Sequence, residues 1–275
     1  MKLTTKARVL PHVTLVYGIP GSGKTELAAA YPDALFLMTG AEEGLLTLMS
    51  TGRVSSDTMH FEHPATTFDD AREALEIVRT TDHKRTTLVI DTINGLERLL
   101  AAKVLEDEFE NNPADYSSYG KGDERLGKRF EQDVIAQLRR IRDERGMRIV
   151  LLSHAKVTTF KNPTGEDYMA FSPELNEKHV WNKLNAWVDN VFFIHKDVLV
   201  ISKKGQKSKA KGDSAKRMLH VDAAPTFYAK NRFGLHNPID MGMSGRDGFN
   251  NLMKAIKSTQ PKKTEPQPEP SKEAA

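Results

Sequence analysis

The 275-residue chain contains no cysteine, which excludes disulfides and thiolate metal sites. It has no run of 18 apolar residues, so neither a membrane-spanning helix nor a membrane partner is expected. The opening "MKLTTKARVLPHVTLVYG" lacks an apolar signal core followed by a cleavage site, and a cytoplasmic location is the expectation. An excess of one charge is missing too. The 40 Lys and Arg face 37 Asp and Glu, a net charge of +3, so any case for nucleic acid has to come from local clustering. Hydrophobic residues make up 39%, enough to build a core in one large domain or two small ones. The last stretch, "STQPKKTEPQPEPSKEAA" (258–275), has four prolines and no large apolar residue. It cannot bury enough surface to offset the entropy of ordering, so a disordered tail is expected after a single domain at 1–257.

What is present alternates between strand and helix patterns. "VTLVY" (13–17), "ALFLMT" (34–39), "TTLVID" (86–91) and "MRIVLLS" (147–153) are apolar strands, and "TMHFEH" (58–63) is a short one. Helices are expected over 25–31, over 66–81 with Thr67 as N-cap, over 94–110, and over 124–145 closed by Gly146. Apolar strands separated by helices imply a parallel sheet covered on both faces. After about residue 190, "NVFFIHKDVLVIS", "RMLHVD" and "TFYAKN" follow one another with short turns. The expected fold class is therefore α/β: a mainly parallel sheet flanked by helices, with an antiparallel extension near the C-terminal part.

"GIPGSGKT" (18–25) matches the phosphate-binding pattern G-x-x-x-x-G-K-[ST], between a predicted strand and a predicted helix. Gly18, Gly21 and Gly23 let the backbone wrap a phosphate, with Ser22 inside the loop. Lys24 reaches the β- and γ-phosphates of ATP, and Thr25 ligates Mg2+. The alternative is a tight turn with an incidental lysine. Asp91 ends the strand "TLVID" and is the expected second Mg2+ holder; the alternative there is a helix cap. Hydrolysis also needs a group that orients water. The end of the second strand, "TGAEEG", offers Glu42 and Glu43, and Glu43 is preferred; alternatively both cap a helix starting near Leu45.

The ordered set "GIPGSGKT", "AEEG", "LVID", "VLLSH" and "KNRFG" resembles a RecA-type ATPase core over roughly residues 10–240. The resemblance implies that Glu43 activates water and that His154 senses the γ-phosphate, where the bacterial recombinase has glutamine. It further implies that Lys230 and Arg232, a K-x-R followed by glycine as in DnaB-type hexameric helicases, reach into a neighbouring subunit's ATP site. A basic edge strand is the alternative for that pair. "MRIVLLSHAK…DYMAFSPEL…KLNAWVDNVFFI" and "YGKG" (119–122) are similar to compact phage-encoded RecA-like ATPases associated with single-strand DNA annealing.

Two expected loops and one basic run are candidate contacts for single-stranded DNA. Residues 111–125 supply Tyr116, Tyr119 and Lys121, and residues 155–171 supply Lys156, Phe160 and Lys161. Aromatics stack on bases, and cations track phosphates. The run 203–217 carries seven Lys and Arg against one acid, with Lys203, Lys204, Lys207, Lys209 and Lys211 the expected contacts. For each segment a solvated loop is the alternative. The resulting expectation is a homo-oligomer, ring or filament, that hydrolyses ATP and anneals single-stranded DNA, with a single-strand-binding protein as a candidate further partner. A DNA motor of helicase or packaging type, or a nucleotide-dependent switch, remains the alternative.

Overall fold

The computed structural model describes residues 5, 10–196, 199–201, 209–211 and 216–260. The chain begins with β1 (Val13–Gly18), the phosphate-loop turn, α1 (Lys24–Ala29), β2 (Ala34–Met38), α2 (Gly44–Ser50) and β3 (Met59–His60). It continues through α3 (Phe68–Thr80), β4 (Thr87–Asp91), α4 (Ile93–Phe109), α5 (Pro113–Ser117) and α6 (Lys121–Arg129). A π-helical stretch, Phe130–Ile135, joins α6 to α7 (Ala136–Arg145), so the long amphipathic helix of the sequence is one rod that stops at Gly146 with φ 66°. Then come β5 (Arg148–Phe160), β6 (Tyr168–Pro173), α8 (Asn182–Trp187) and β7 (Asn190–Lys196). The last elements are β8 (Leu199–Ile201), β9 (Lys209–Lys211), β10 (Arg217–His220), β11 (Ile239–Asp240) and α9 (Gly245–Thr259).

The sheet order is β11-β10-β7-β1-β5-β4-β2-β3, with β6 paired to the far half of β5. The six strands from β7 to β3 are mutually parallel, while β10, β11 and β6 are antiparallel. This is the mixed α/β class expected, including the antiparallel extension beyond β7. Side-chain alternation sorts each central strand onto two cores. Leu15, Leu37, Ile90 and Leu151 face the core under α3, α4 and α7; Val16, Phe36, Val89 and Leu152 face the core under α1 and α9. Because both faces are covered, the strands read as continuous apolar runs. Thr67 caps α3 in a reciprocal capping box with Asp70.

Three expectations need correction. "TFYAKN" forms isolated bridges at Phe227 and Lys230 rather than a strand, because Lys230 pairs only with Val191. Residues 111–125 are largely helical, since Asn112 caps α5 with Pro113 at its start. Residues 155–171 continue β5 and fold back as β6, from Ala155 opposite Pro173 to Phe160 opposite Tyr168. The stretch is a hairpin, not a loop. At the C-terminal end α9 runs to Thr259, two residues into the segment read as a tail; residues 261–275 lie outside the described residues. No helix among the described residues is long and apolar enough to cross a membrane.

Candidate functional site

Parallel strands deliver their C-terminal ends to one edge of the sheet. Gly18 of β1, Asp91 of β4 and His154 of β5 arrive there in register: Gly18 lies beside His154 and Ile194, and Asp91 beside Leu152 and Met38. A Cβ at Gly18 would sit 2.5 Å from the Ile194 carbonyl oxygen. Only glycine lets the chain turn there. Gly23 has φ 100°, a left-handed geometry that β-carbons disfavour.

Inside the turn, Lys24 Nζ donates to the carbonyl oxygens of Gly18 (2.9 Å) and Ile19 (3.2 Å). Burial lowers its pKa, while Asp91 and Glu42 push it back up. Ser22 Oγ is buried without a hydrogen-bond partner, an arrangement that costs free energy unless a ligand completes it. Thr25 Oγ1 donates to Asp91 Oδ2 at 2.8 Å, which brings the two motifs to one point. Burial raises the Asp91 pKa to about 6, against the Thr25 hydrogen bond. The helix-cap alternative for Asp91 falls away, because Thr92 caps α4 by accepting from Gly95 N–H. Among the described residues no cluster of three or more His, Asp or Glu could hold a metal alone. A Mg2+ ion needs no such cluster: one carboxylate, a hydroxyl, water and substrate phosphates suffice. The turn, the orphaned hydroxyl and the Thr25–Asp91 pair thus fit ATP with Mg2+.

The carboxylate turned toward this point is Glu42. His154 Nε2 donates to Glu42 Oε1 at 2.7 Å, and that bond is the main reason the Glu42 pKa is lowered. Lys24 and Asp91 both respond to the Glu42 charge. Glu43 is exposed at the start of α2 and makes no side-chain cap. Adjacent residues point in different directions, and here the second of the pair faces solvent. The backbone N–H of His154 donates to Asn94 Oδ1 at 3.1 Å. His154 Nδ1 and Asn94 Nδ2 are buried without partners.

Lys230 and Arg232 lie elsewhere. Lys230 bridges Val191, and Arg232 N–H donates to Asn190 Oδ1, at the starting end of β7. Thr14 is the β1 partner of Asn190, whereas Gly18 is the partner of Ile194. Four residues of strand separate them, roughly 13 Å, so this pair sits at the opposite end of the sheet from its own phosphate loop. Lys230 Nζ donates to the Asn185 carbonyl, and Arg232 Nη1 lies 3.3 Å from Asp189 Oδ1. Asp189, to which sequence reasoning assigned no role, also accepts from Val13 N–H at 2.9 Å. It ties the start of β1 to the cationic pair.

The expected DNA contacts divide. Tyr119 is fully exposed on a left-handed residue, and Phe160 is 49% exposed, stacked on Tyr168 at the hairpin tip. Lys121 opens α6, and exposed Lys161 pairs with Asp167. Tyr116 packs against Phe109 and over Gly122, and Lys156 Nζ donates to the Leu175 carbonyl. Both are engaged within the chain. Lys209 and Lys211 are in β9, paired to β8; Lys203, Lys204 and Lys207 lie outside the described residues. Arg217, the last cation of that basic run, is buried beside α1 and pairs with Glu26. Nothing in the sequence pattern links residues 26 and 217.

No curated protein sequence matches the chain. Among solved structures, it is similar to the crystal structure of the RadB recombinase, with 14% identity and a TM-score of 0.45 over 86% of this chain and 90% of that one. The protein-family profile described as "AAA domain" matches residues 11–233, from before the phosphate loop to just past Arg232. That match covers most of the chain, which therefore belongs to the AAA domain family.

Proposed function

We propose that this protein is a RecA-like, Mg2+-dependent ATPase that binds single-stranded DNA, promotes annealing, and acts as a homo-oligomer with ATP sites between subunits. The observation that carries the reading is the 2.8 Å hydrogen bond from Thr25 to Asp91. It joins the phosphate-loop hydroxyl to the strand-end carboxylate, the pairing a Mg2+–nucleotide site requires. Lys24 exchanges its two carbonyl partners for the β- and γ-phosphate oxygens, and Ser22 gains a partner. Thr25 and Asp91 hold Mg2+, which when bound neutralises charge on those phosphates. Glu42, rather than Glu43, orients the attacking water, and its low pKa keeps it ionised for that task. His154 holds Glu42 until a γ-phosphate competes for the imidazole.

Lys230 and Arg232 are too far from their own phosphate loop to serve it, which supports a neighbour's nucleotide as their target. There they offset charge on the transferring phosphoryl group. Tyr119, Lys121, Phe160 and Lys161 are the DNA contacts favoured by their exposure. For Lys203, Lys204, Lys207, Lys209 and Lys211 the support is the charge run alone.

The test is ATPase rate against protein concentration, with and without single-stranded DNA, beside annealing of complementary strands. Steep concentration dependence, DNA stimulation and annealing are expected. A monomer whose ATPase ignores DNA would sink the oligomer and the DNA role together. ATP-driven unwinding would make the protein a motor instead.

A further inference from the structure

Beside the phosphate loop lies a buried ionic contact that the nucleotide chemistry leaves unused. Glu26 follows Thr25 in α1 and is 5% exposed. Its Oε2 accepts from Arg217 Nη1 at 3.2 Å and, from the solvent side, from Arg53 Nη2 at 2.9 Å. Arg217 is 8% exposed, and its Nη2 donates to the Gly242 carbonyl at 3.3 Å. The same guanidinium fills the space that a Cβ on Gly23 would need. Asp247, at the start of α9, also feels its charge. Gly245 packs directly on the Glu26 backbone carbonyl.

We propose that Arg217 is a positioning residue for the nucleotide site: through Glu26 and Gly23 it holds the first turn of α1 in the shape that receives phosphate. The inference rests on the ATP reading above and deepens it. A buried ion pair is a weak source of net stability, because desolvation offsets the attraction. What it supplies is geometry. The planar guanidinium has a fixed fork of donors, and here the fork spans a carboxylate of α1 and a carbonyl before α9 while its Nη1 end abuts a phosphate-loop glycine. The turn whose amides bind phosphate is thereby braced from β10. Lysine would keep the charge but not the fork.

The experiment titrates a fluorescent ATP analogue with Mg2+ into wild type, Lys24→Ala, Arg217→Met, Arg217→Lys, Glu26→Gln and the Glu26→Gln/Arg217→Met double variant. The nucleotide-induced rise in Tm is measured in parallel, since ligand binding raises Tm through mass action. Arg217→Met is expected to weaken the analogue by about 10- to 100-fold, as displaced reactive geometry does, and to shrink the Tm rise. Arg217→Lys should recover part of the loss. The double variant should be no weaker than Arg217→Met alone, because once Arg217 is gone the side chain at position 26 no longer links α1 to β10. A role confined to folding predicts a lower Tm without nucleotide and a wild-type affinity and Tm rise; that result overturns the proposal. If Arg217→Met does not fold, Glu26→Gln decides by the same two readings. If wild type and Lys24→Ala fail equally to bind the analogue, the ATP reading itself falls and takes this one with it.

Discussion

Asp91 is a carboxylate whose environment opposes its charge. At 3% exposure it loses hydration, and its pKa rises from 3.8 to about 6. An acid with a raised folded-state pKa contributes stability below its unfolded pKa, and that contribution is lost as pH climbs through the folded value. Asp91→Asn should therefore stabilise the nucleotide-free protein at pH 8 by on the order of 3 kcal/mol, read by urea unfolding, while removing the Mg2+ dependence of nucleotide binding. In the wild type, that Mg2+ dependence should fade as pH drops below about 6, because a protonated Asp91 cannot ligate the ion. Glu42 and Glu43 are separated by a second residue-scale test. Glu42→Gln should cut ATP turnover by roughly 100-fold or more, and Glu43→Gln should leave it near wild type. Equal losses would return the role to the pair.

At the scale of elements, α4 connects the nucleotide edge to the β5–β6 hairpin. Asn94 takes the His154 N–H, Glu97 Oε1 accepts from Asn176 N–H at 2.8 Å, and Arg98 lies 2.7 Å from Glu174. Glu97 is buried, and burial lifts its pKa to about 7. By the same sign argument, its stabilising contribution is present near pH 4 and lost as pH rises through about 7. Glu97→Gln retains a carbonyl acceptor for Asn176 and removes the buried charge. It should be more stable than wild type at pH 8 by about 3 kcal/mol and no different at pH 4, as urea unfolding at the two pH values would show. A gap of the same size at both values would mean that packing, not ionisation, is responsible. The base of the β5–β6 hairpin, at His154 and at Glu174 and Asn176 just after β6, is thus tied to the helix that follows Asp91.

At the scale of the molecule, the cationic pair and the phosphate loop occupy opposite ends of one sheet. If neighbours share sites, each variant lacks a different half. Lys24→Ala and Lys230→Ala should each lose turnover alone, Lys230→Ala while still binding nucleotide. Mixed, they should recover part of the activity at interfaces that combine one intact loop with one intact Lys230. ATPase measured across mixing ratios checks this: a strictly additive, inactive mixture would rule out sharing.

Much of the fold is legible in the residues themselves. β1, β2, β4 and the first half of β5 follow from apolar runs that both faces of a covered sheet require, and α3 follows from its Thr67 cap and amphipathic period. The phosphate loop was readable because its glycines, Lys24 and Thr25 act within eight consecutive positions. The segments after α4 and His154 read as loops in the sequence because polar composition does not reveal a capped short helix or a hairpin with one exposed face. The Glu42–His154 contact beside an exposed Glu43, the separation of Lys230 from its own loop, and the Arg217–Glu26 ion pair were decided only by the tertiary fold. Local chemistry is written in neighbouring residues, whereas a contact between residues 191 positions apart exists only once strand order and side-chain direction are set by packing.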